Sequence, residues 1–289
     1  MTWKLTKIPK VLHTYWGATK LSWLRYLTVK SFSVTNPDWK IKVYTPITIF
    51  TQGYLWEQNI APKREDNTVD WFPMLKTISN VEVIEVNCVE EGLGDIPDVF
   101  RSDLLRLKWL GTEGGLYSDM DVIHFRPLDE AYFNTDSNRE VDTIVSYTYN
   151  NRHFSIGYLL GGTNNLFYSA LYQRGLTRLA THGDRQTFGV ILWGSLVKTD
   201  VDIRTQFPSL NVFNIDLTAC YPFLYNTMSD ILENNHDLSV THPNCVALHW
   251  YAGHPLCASY EHKLTPENYF TFETTLCNCI KKALSYEKI

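Results

Sequence analysis

The chain has 289 residues, 44% of them hydrophobic, and a formal net charge of -5. That is enough apolar material for one large α/β domain or two small ones, and it excludes a disordered chain. The acidic balance, with no Lys/Arg cluster, argues against a nucleic-acid partner, and no apolar run approaches the ~20 residues of a membrane helix.

The first ten residues, MTWKLTKIPK, lack the apolar core of a signal peptide. A cytoplasmic protein, soluble or peripherally attached to a membrane, is the expectation. Cys88, Cys220, Cys245, Cys257, Cys277 and Cys279 show no metal-site spacing and read as reduced structural thiols.

In chain order, the apolar run at 10–16, KVLHTYW, follows Pro9, ends at Gly17 and reads as the first strand. Its end, Tyr15-Trp16, falls at the carboxyl edge, where open α/β sheets bind ligands. His13 reads as a core histidine rather than a ligand. Residues 21–32 have helical spacing, and 39–44 form a second strand, so a parallel β-α-β pair is expected. A helix over 46–60 starting at Pro46, a polar loop over 61–72 and a helix at 73–78 precede a third strand at 81–86.

The most informative stretch is 99–125, VFRSDLLRLKWLGTEGGLYSDMDVIHF. Pro97 and Asp98 signal a helix start and Gly111 a stop. Asp103 and Arg106 lie three apart and therefore neighbour each other on one helix face. Gly114-Gly115 permits a sharp turn into a strand at 116–125, ended by Arg126-Pro127. Tyr117, Asp119 and Asp121 alternate, so an extended chain points both carboxylates the same way. Two such like charges repel. A divalent cation, Mg²⁺ or Mn²⁺, would relieve that repulsion, and such a cation can bridge nucleotide phosphates.

Beyond it, 134–140 is polar and exposed, and strands are expected at 142–147 and 154–161, the second running into Gly161-Gly162-Thr163-Asn164-Asn165. Helical patterns cover 166–180 and 185–197, separated by a break at His182-Gly183-Asp184. A strand at 211–215, a polar stretch over 229–243 with a loop at Asn234-Asn235-His236-Asp237, a last strand at 245–251 and a closing helix over 266–287 complete the reading.

The stretch SDLLRLKWLGTEGGLYSDMD closely resembles the DXD region of the glycosyltransferase family described as "sugar-binding region containing DXD motif". The relatives of that family include mannosyltransferases, capsular-polysaccharide glycosyltransferases and, more distantly, the glucosylating clostridial toxins. IPKVLHTYWG is similar to the family's opening strand, and CYPFLY to a Tyr-Pro element ahead of its last strand. The resemblance implies a GT-A α/β fold, a Rossmann-like mixed sheet flanked by helices, forming one domain over 1–289. Its nucleotide-binding half would be 1–125 and its acceptor half, with the closing helix, 126–289.

It also implies retaining transfer of a hexose from a nucleotide-diphosphate sugar with Mn²⁺ (or Mg²⁺). The correspondence of Trp16 to a uracil-stacking tryptophan suggests a UDP-linked donor. The acceptor remains open among a glycan, a lipid-linked sugar and a protein. Asp119, Asp121 and Arg106 would be catalytic, and Tyr15, Trp16, Asp103, Arg106, Tyr117 and Asp119 would contact the donor. Asp121, Asp119 and His249 would hold the metal, with His254 and Ser259 as alternatives to His249, because the family's Gly-Ser-Trp element is replaced by Ser259-Tyr260 at a longer spacing. The alternative class is a catalytically silent module that binds a nucleotide sugar or a glycan. A glycosidase remains compatible with the carboxylate spacing alone, but the Gly-Gly-x-Tyr context argues against it.

Overall fold

The computed structural model describes residues 3–4, 7–17, 20–48, 69–129, 139–150, 152–187 and 189–288. The strands are β1 (Trp3–Lys4), β2 (Val11–Tyr15), β3 (Lys40–Pro46), β4 (Val81–Val86), β5 (Gly115–Ser118), β6 (Val122–His124), β7 (Arg139–Glu140), β8 (Thr143–Thr148), β9 (His153–Gly161), β10 (Val212–Asn214) and β11 (Ala247–His249). The principal helices are α1 (Trp23–Thr35), α2 (Phe72–Leu75), α3 (Asp98–Thr112), α4 (Leu166–His182), α5 (Gly189–Gly194), α6 (Asp200–Gln206), α7 (Ser229–Leu232), α8 (Leu238–Thr241), α9 (Pro255–Lys263) and α10 (Thr275–Ser285).

Seven strands form a mixed sheet in the order β10-β8-β9-β5-β2-β3-β4. β2 pairs in parallel with β3, as the β-α-β order predicts, and on its other edge in parallel with β5, while β9 runs antiparallel to β5. The two faces carry separate cores. Leu24, Leu27 and Phe32 of α1 with Leu276 and Ile280 of α10 cover one. Leu104 and Leu107 of α3 with Phe167 and Leu171 of α4 cover the other. His13 is buried and bonded to the Tyr44 hydroxyl (3.0 Å) and the Gly114 carbonyl (2.8 Å), a core histidine as expected. All six cysteines are buried and free. Among the described residues no helix is long and apolar enough to cross a membrane.

Four expectations are corrected. Gly111 does not stop α3, which runs on to Thr112. It serves close packing instead, since a Cβ there would come within 2.7 Å of Ser169 Oγ on α4. Pro46 closes β3 rather than opening a helix, and residues 49–68 of the expected helix and loop lie outside the described residues. The expected exposed stretch 134–140 falls on the short strand β7 and otherwise outside them. The closing helix expected over 266–287 is confined to α10, and it follows the separate helix α9 and a short turn of 3-10 helix at Tyr269–Thr271. Asn268 divides them: its Oδ1 accepts from Thr265 N (2.8 Å) and its Nδ2 donates to Lys263 O (2.8 Å), holding a turn there. Thr274 then caps α10 by accepting from Cys277 N.

The fourth correction positions the site. The continuous strand expected over 116–125 breaks at Asp119–Asp121. Asp119 N donates to Gly157 O (2.9 Å) beyond the last paired residue of β5. β6 then leaves the main sheet and pairs antiparallel with β11. Its other edge is satisfied by α1, where Thr28 and Ser31 hydroxyls accept from Val122 N (3.3 Å) and His124 N (3.0 Å). The carboxylates thus sit in a turn at the carboxyl end of a central strand, where they can meet a ligand.

Candidate active site

The β6–β11 register sets His249 opposite Val122, one residue from Asp121. The His249 Nε2 lies 3.1 Å from Asp121 Oδ1. Asp121 is held from its backbone as well: Trp250 N donates to its carbonyl (2.9 Å) and Ala252 N to its Oδ2 (2.9 Å). Tyr251 between these two donors has a positive φ of 48°, a conformation that few non-glycine residues adopt. Burial opposes charge on both members of the Asp121–His249 pair. Their mutual attraction outweighs it, lowering the Asp121 pKa and raising that of His249.

Asp119 faces the same point from the other side of the turn. Its Oδ1 lies 3.2 Å from Arg106 Nη2 and accepts from the Tyr117 hydroxyl at 3.0 Å. Gly157 makes room for it, since a Cβ there would overlap Asp119 Oδ2 and lie 2.9 Å from the Tyr221 hydroxyl. A glycine inside an apolar strand pattern signals such a close approach, and that signal in FSIGYLL was not used in the sequence reading.

Arg106 is fully buried and fixed on every side. It pairs with Asp103 (2.8 Å), donates to Ile156 O (2.8 Å) and to Ser102 O (3.2 Å), and lies 4.4 Å from the centre of the Tyr117 ring. The helical spacing predicted its contact with Asp103. Both oxygens of Asp103 are engaged, one by Arg106 and one by Gly189 N (2.9 Å) at the start of α5. Burial nonetheless pushes the Asp103 pKa up to about 6.

Tyr15 and Trp16 end β2 but are turned to partners within the protein. The Tyr15 hydroxyl donates to Asp98 Oδ1 (2.6 Å), which also pairs with Arg101 (3.0 Å). Trp16 is buried with the Arg25 guanidinium 4.7 Å from its ring centre. Of the three candidates for the third ligand, the structure brings His249 to the carboxylates. His254 caps α9 by accepting from Leu256 N (3.2 Å), and the Ser259 hydroxyl donates to Leu256 O (2.7 Å).

Asp119, Asp121 and His249 each offer one ligand atom, and these atoms lie within 4.8 Å of one another. The other ring nitrogen of His249, Nδ1, is buried with no hydrogen-bond partner among the described residues. Two carboxylates and an imidazole, packed this closely, fit a divalent cation.

A mixed α/β sheet with such a cluster at the carboxyl end of a central strand places a candidate metal site where open α/β sheets bind ligands. Residues 26–138 match the family described as "Glycosyltransferase sugar-binding region containing DXD motif", a segment that runs from α1 through the Asp119–Asp121 turn. No curated protein matches it.

Similar solved structures include the PaToxG glycosyltransferase, at 16% identity and TM-score 0.46, over 70% of this chain and 71% of that one. The glycosyltransferase GlyE of Streptococcus pneumoniae TIGR4 is similar at 12% identity and TM-score 0.46, over 96% of this chain and 60% of that one. This chain therefore spans less than two thirds of GlyE. The galactosyltransferase LgtC, solved with donor and acceptor sugar analogs, is similar at 15% identity and TM-score 0.42, over 96% of each.

Proposed function

We propose that the protein transfers a hexose, with retention, from a UDP-linked sugar to a hydroxyl acceptor, and that it requires Mn²⁺. The observation that carries this reading is the convergence of Asp119, Asp121 and His249 within 4.8 Å. The imidazole in the set favours Mn²⁺ over Mg²⁺, which keeps to oxygen ligands. When bound there, the cation would neutralise charge on the leaving diphosphate.

The chain's own residues do the rest. Asp121, fixed by Ala252 N and His249, would hold the cation. Arg106 and Tyr117 orient Asp119, so that its free oxygen, Oδ2, can serve cation or sugar. Asp103 is fully engaged and keeps the buried Arg106 in place. The acceptor hydroxyl gives its proton to the departing phosphate oxygen as the new glycosidic bond forms, so transfer with retention needs no side-chain base. Trp16 would line the base end of the donor site and Tyr15 would support it through Asp98. In this reading residues 1–125 bind the nucleotide and 126–289 the acceptor.

The test is a panel of UDP- and GDP-sugars with and without Mn²⁺, followed by melting temperature and nucleotide release. One donor at 100 times its dissociation constant should stabilise the protein by about 2.7 kcal/mol, a rise of roughly 5–10 °C. Mn²⁺ should be required, and the same donor should be slowly hydrolysed. No shift and no turnover with any donor would refute the reading.

Gly157→Ala should weaken Mn²⁺ binding by roughly 10- to 100-fold, since the added methyl displaces the Asp119 carboxylate it overlaps. Calorimetric titration with Mn²⁺ measures this. Unchanged affinity would mean that Asp119 is not a ligand.

A further inference from the structure

We propose that Tyr251 and Tyr225 form a stacking subsite for a neutral saccharide, which is the acceptor; this rests on the transferase reading above. An unbroken chain of rings leads from the cation cluster to the surface. The His249 ring contacts Tyr221 (4.9 Å between centroids) and, edge to face, Tyr251 (4.2 Å). Tyr251 in turn contacts Tyr225 (5.9 Å), and Tyr225 contacts His254 (4.7 Å). Tyr221 is buried, Tyr251 half-buried and Tyr225 43% exposed, with Leu224 and Leu256 exposed nearby.

Three features indicate that the outer rings are there to be used. Tyr251 occupies a backbone conformation that glycine or asparagine adopts at lower cost. That conformation allows Trp250 N and Ala252 N to converge on Asp121. Position 251 needs only the backbone for that purpose, yet it carries a large ring, and the Tyr251 hydroxyl is tied to Phe223 O (3.3 Å). Second, the exposed Tyr225 is held at steep angles by two neighbouring rings, 83° to Tyr251 and 69° to His254. A ring fixed in advance loses little entropy when a ligand stacks on it. Third, His254 Nδ1 accepts from Leu256 N, so Nε2 carries the proton of the neutral ring and is a hydrogen-bond donor.

Aromatic faces beside single polar donors suit a sugar ring, whose C–H face stacks while its hydroxyls bond at the edge. The residues named in this strip, Tyr251, Tyr225, His254, Leu224 and Leu256, offer aromatic and apolar surface with one neutral imidazole donor, which suits a neutral sugar ring. Two ring contacts, 4.2 Å from His249 to Tyr251 and 5.9 Å from Tyr251 to Tyr225, connect the cluster to the exposed ring. A glycan stacked on Tyr225 would therefore place its terminal residue against Tyr251, next to the cluster.

The experiment measures binding of lactose, maltose, mannobiose and chitobiose directly, by saturation-transfer NMR and titration. It uses the full chain, Tyr225→Ala and Tyr251→Asn. The asparagine tolerates the positive φ and removes only the ring; Tyr225→Ala alters an exposed side chain and carries the test if Tyr251→Asn is unstable. At least one disaccharide should bind, and its dissociation constant should rise about fivefold or more in each folded variant. Absence of binding by all four, or affinity unchanged in Tyr225→Ala, overturns the subsite. The Mn²⁺-donor screen on the unaltered protein judges the transferase reading separately. Disaccharide binding that depends on the rings, without any donor binding, would keep the subsite and discard the transfer.

Discussion

Asp121→Asn should lower Mn²⁺-dependent turnover by roughly 10²–10⁴-fold. A bound cation that neutralises a leaving diphosphate supplies several kcal/mol to the transition state, and each 1.4 kcal/mol is a factor of ten. Asparagine keeps the shape of the side chain, and its carbonyl oxygen can still accept from Ala252 N. What it loses is the charge that holds the cation and faces His249. The Mn²⁺-dependent rise in melting temperature should vanish with the activity, while the circular dichroism spectrum stays that of the unaltered protein. Turnover within tenfold of the unaltered protein would show that Asp121 is not a metal ligand in the reaction. A silent binding module gives a different pattern: no turnover before the substitution, and unchanged metal-independent saccharide binding after it.

The site was legible in the sequence to the extent that its determinants are local. Asp103 and Arg106 were placed together by helical spacing alone, and they are 2.8 Å apart. Strands β2, β4 and β9 were readable from their apolar runs and alternation. The break inside 116–125 was not, because apolar residues continue on both sides of Asp119–Asp121. What ends β5 there and redirects β6 comes from far along the chain: Gly157, β11 and the hydroxyls of Thr28 and Ser31. His249 was singled out by resemblance only. Its proximity to Asp121 depends on the register of two short strands more than 120 residues apart, which no local pattern specifies. The same turn also changes how the two carboxylates converge: they meet around a bend rather than along one face of a strand.

Arg25 is the residue that the sequence concealed most completely, and removing its partner should have the largest effect on stability. In WLRYLTVKSF, within α1, an arginine reads as the solvent side of an amphipathic helix. The structure buries it. Its Nε lies 2.8 Å from Glu261 Oε1 on α9, and the two side chains are only 6% and 4% exposed. The guanidinium lies 4.7 Å from the centre of Trp16 and 5.7 Å from that of Trp250, and Ser22 Oγ donates to the same Glu261 oxygen (2.6 Å).

Glu261→Gln removes the buried carboxylate that Arg25 Nε meets at 2.8 Å, which should cost about 3–5 kcal/mol and lower the melting temperature by roughly 6–20 °C. Arg25→Met with Glu261→Leu removes both charges and should recover most of the loss, because a buried pair is worth little more than well-packed apolar side chains. Thermal melts of Arg25→Met, Glu261→Leu and the double variant measure the coupling, with Glu261→Gln melted beside them. A Glu261→Gln loss below about 1 kcal/mol would mean that water reaches the pair. The double variant separates stability from function. It keeps α1 and α9 packed but removes the cation between Trp16, which ends β2, and Trp250, which follows His249. If the pair only stabilises the fold, the double variant should match the unaltered protein in donor KM. If it also positions those two rings at the site, KM should rise while the melting temperature recovers.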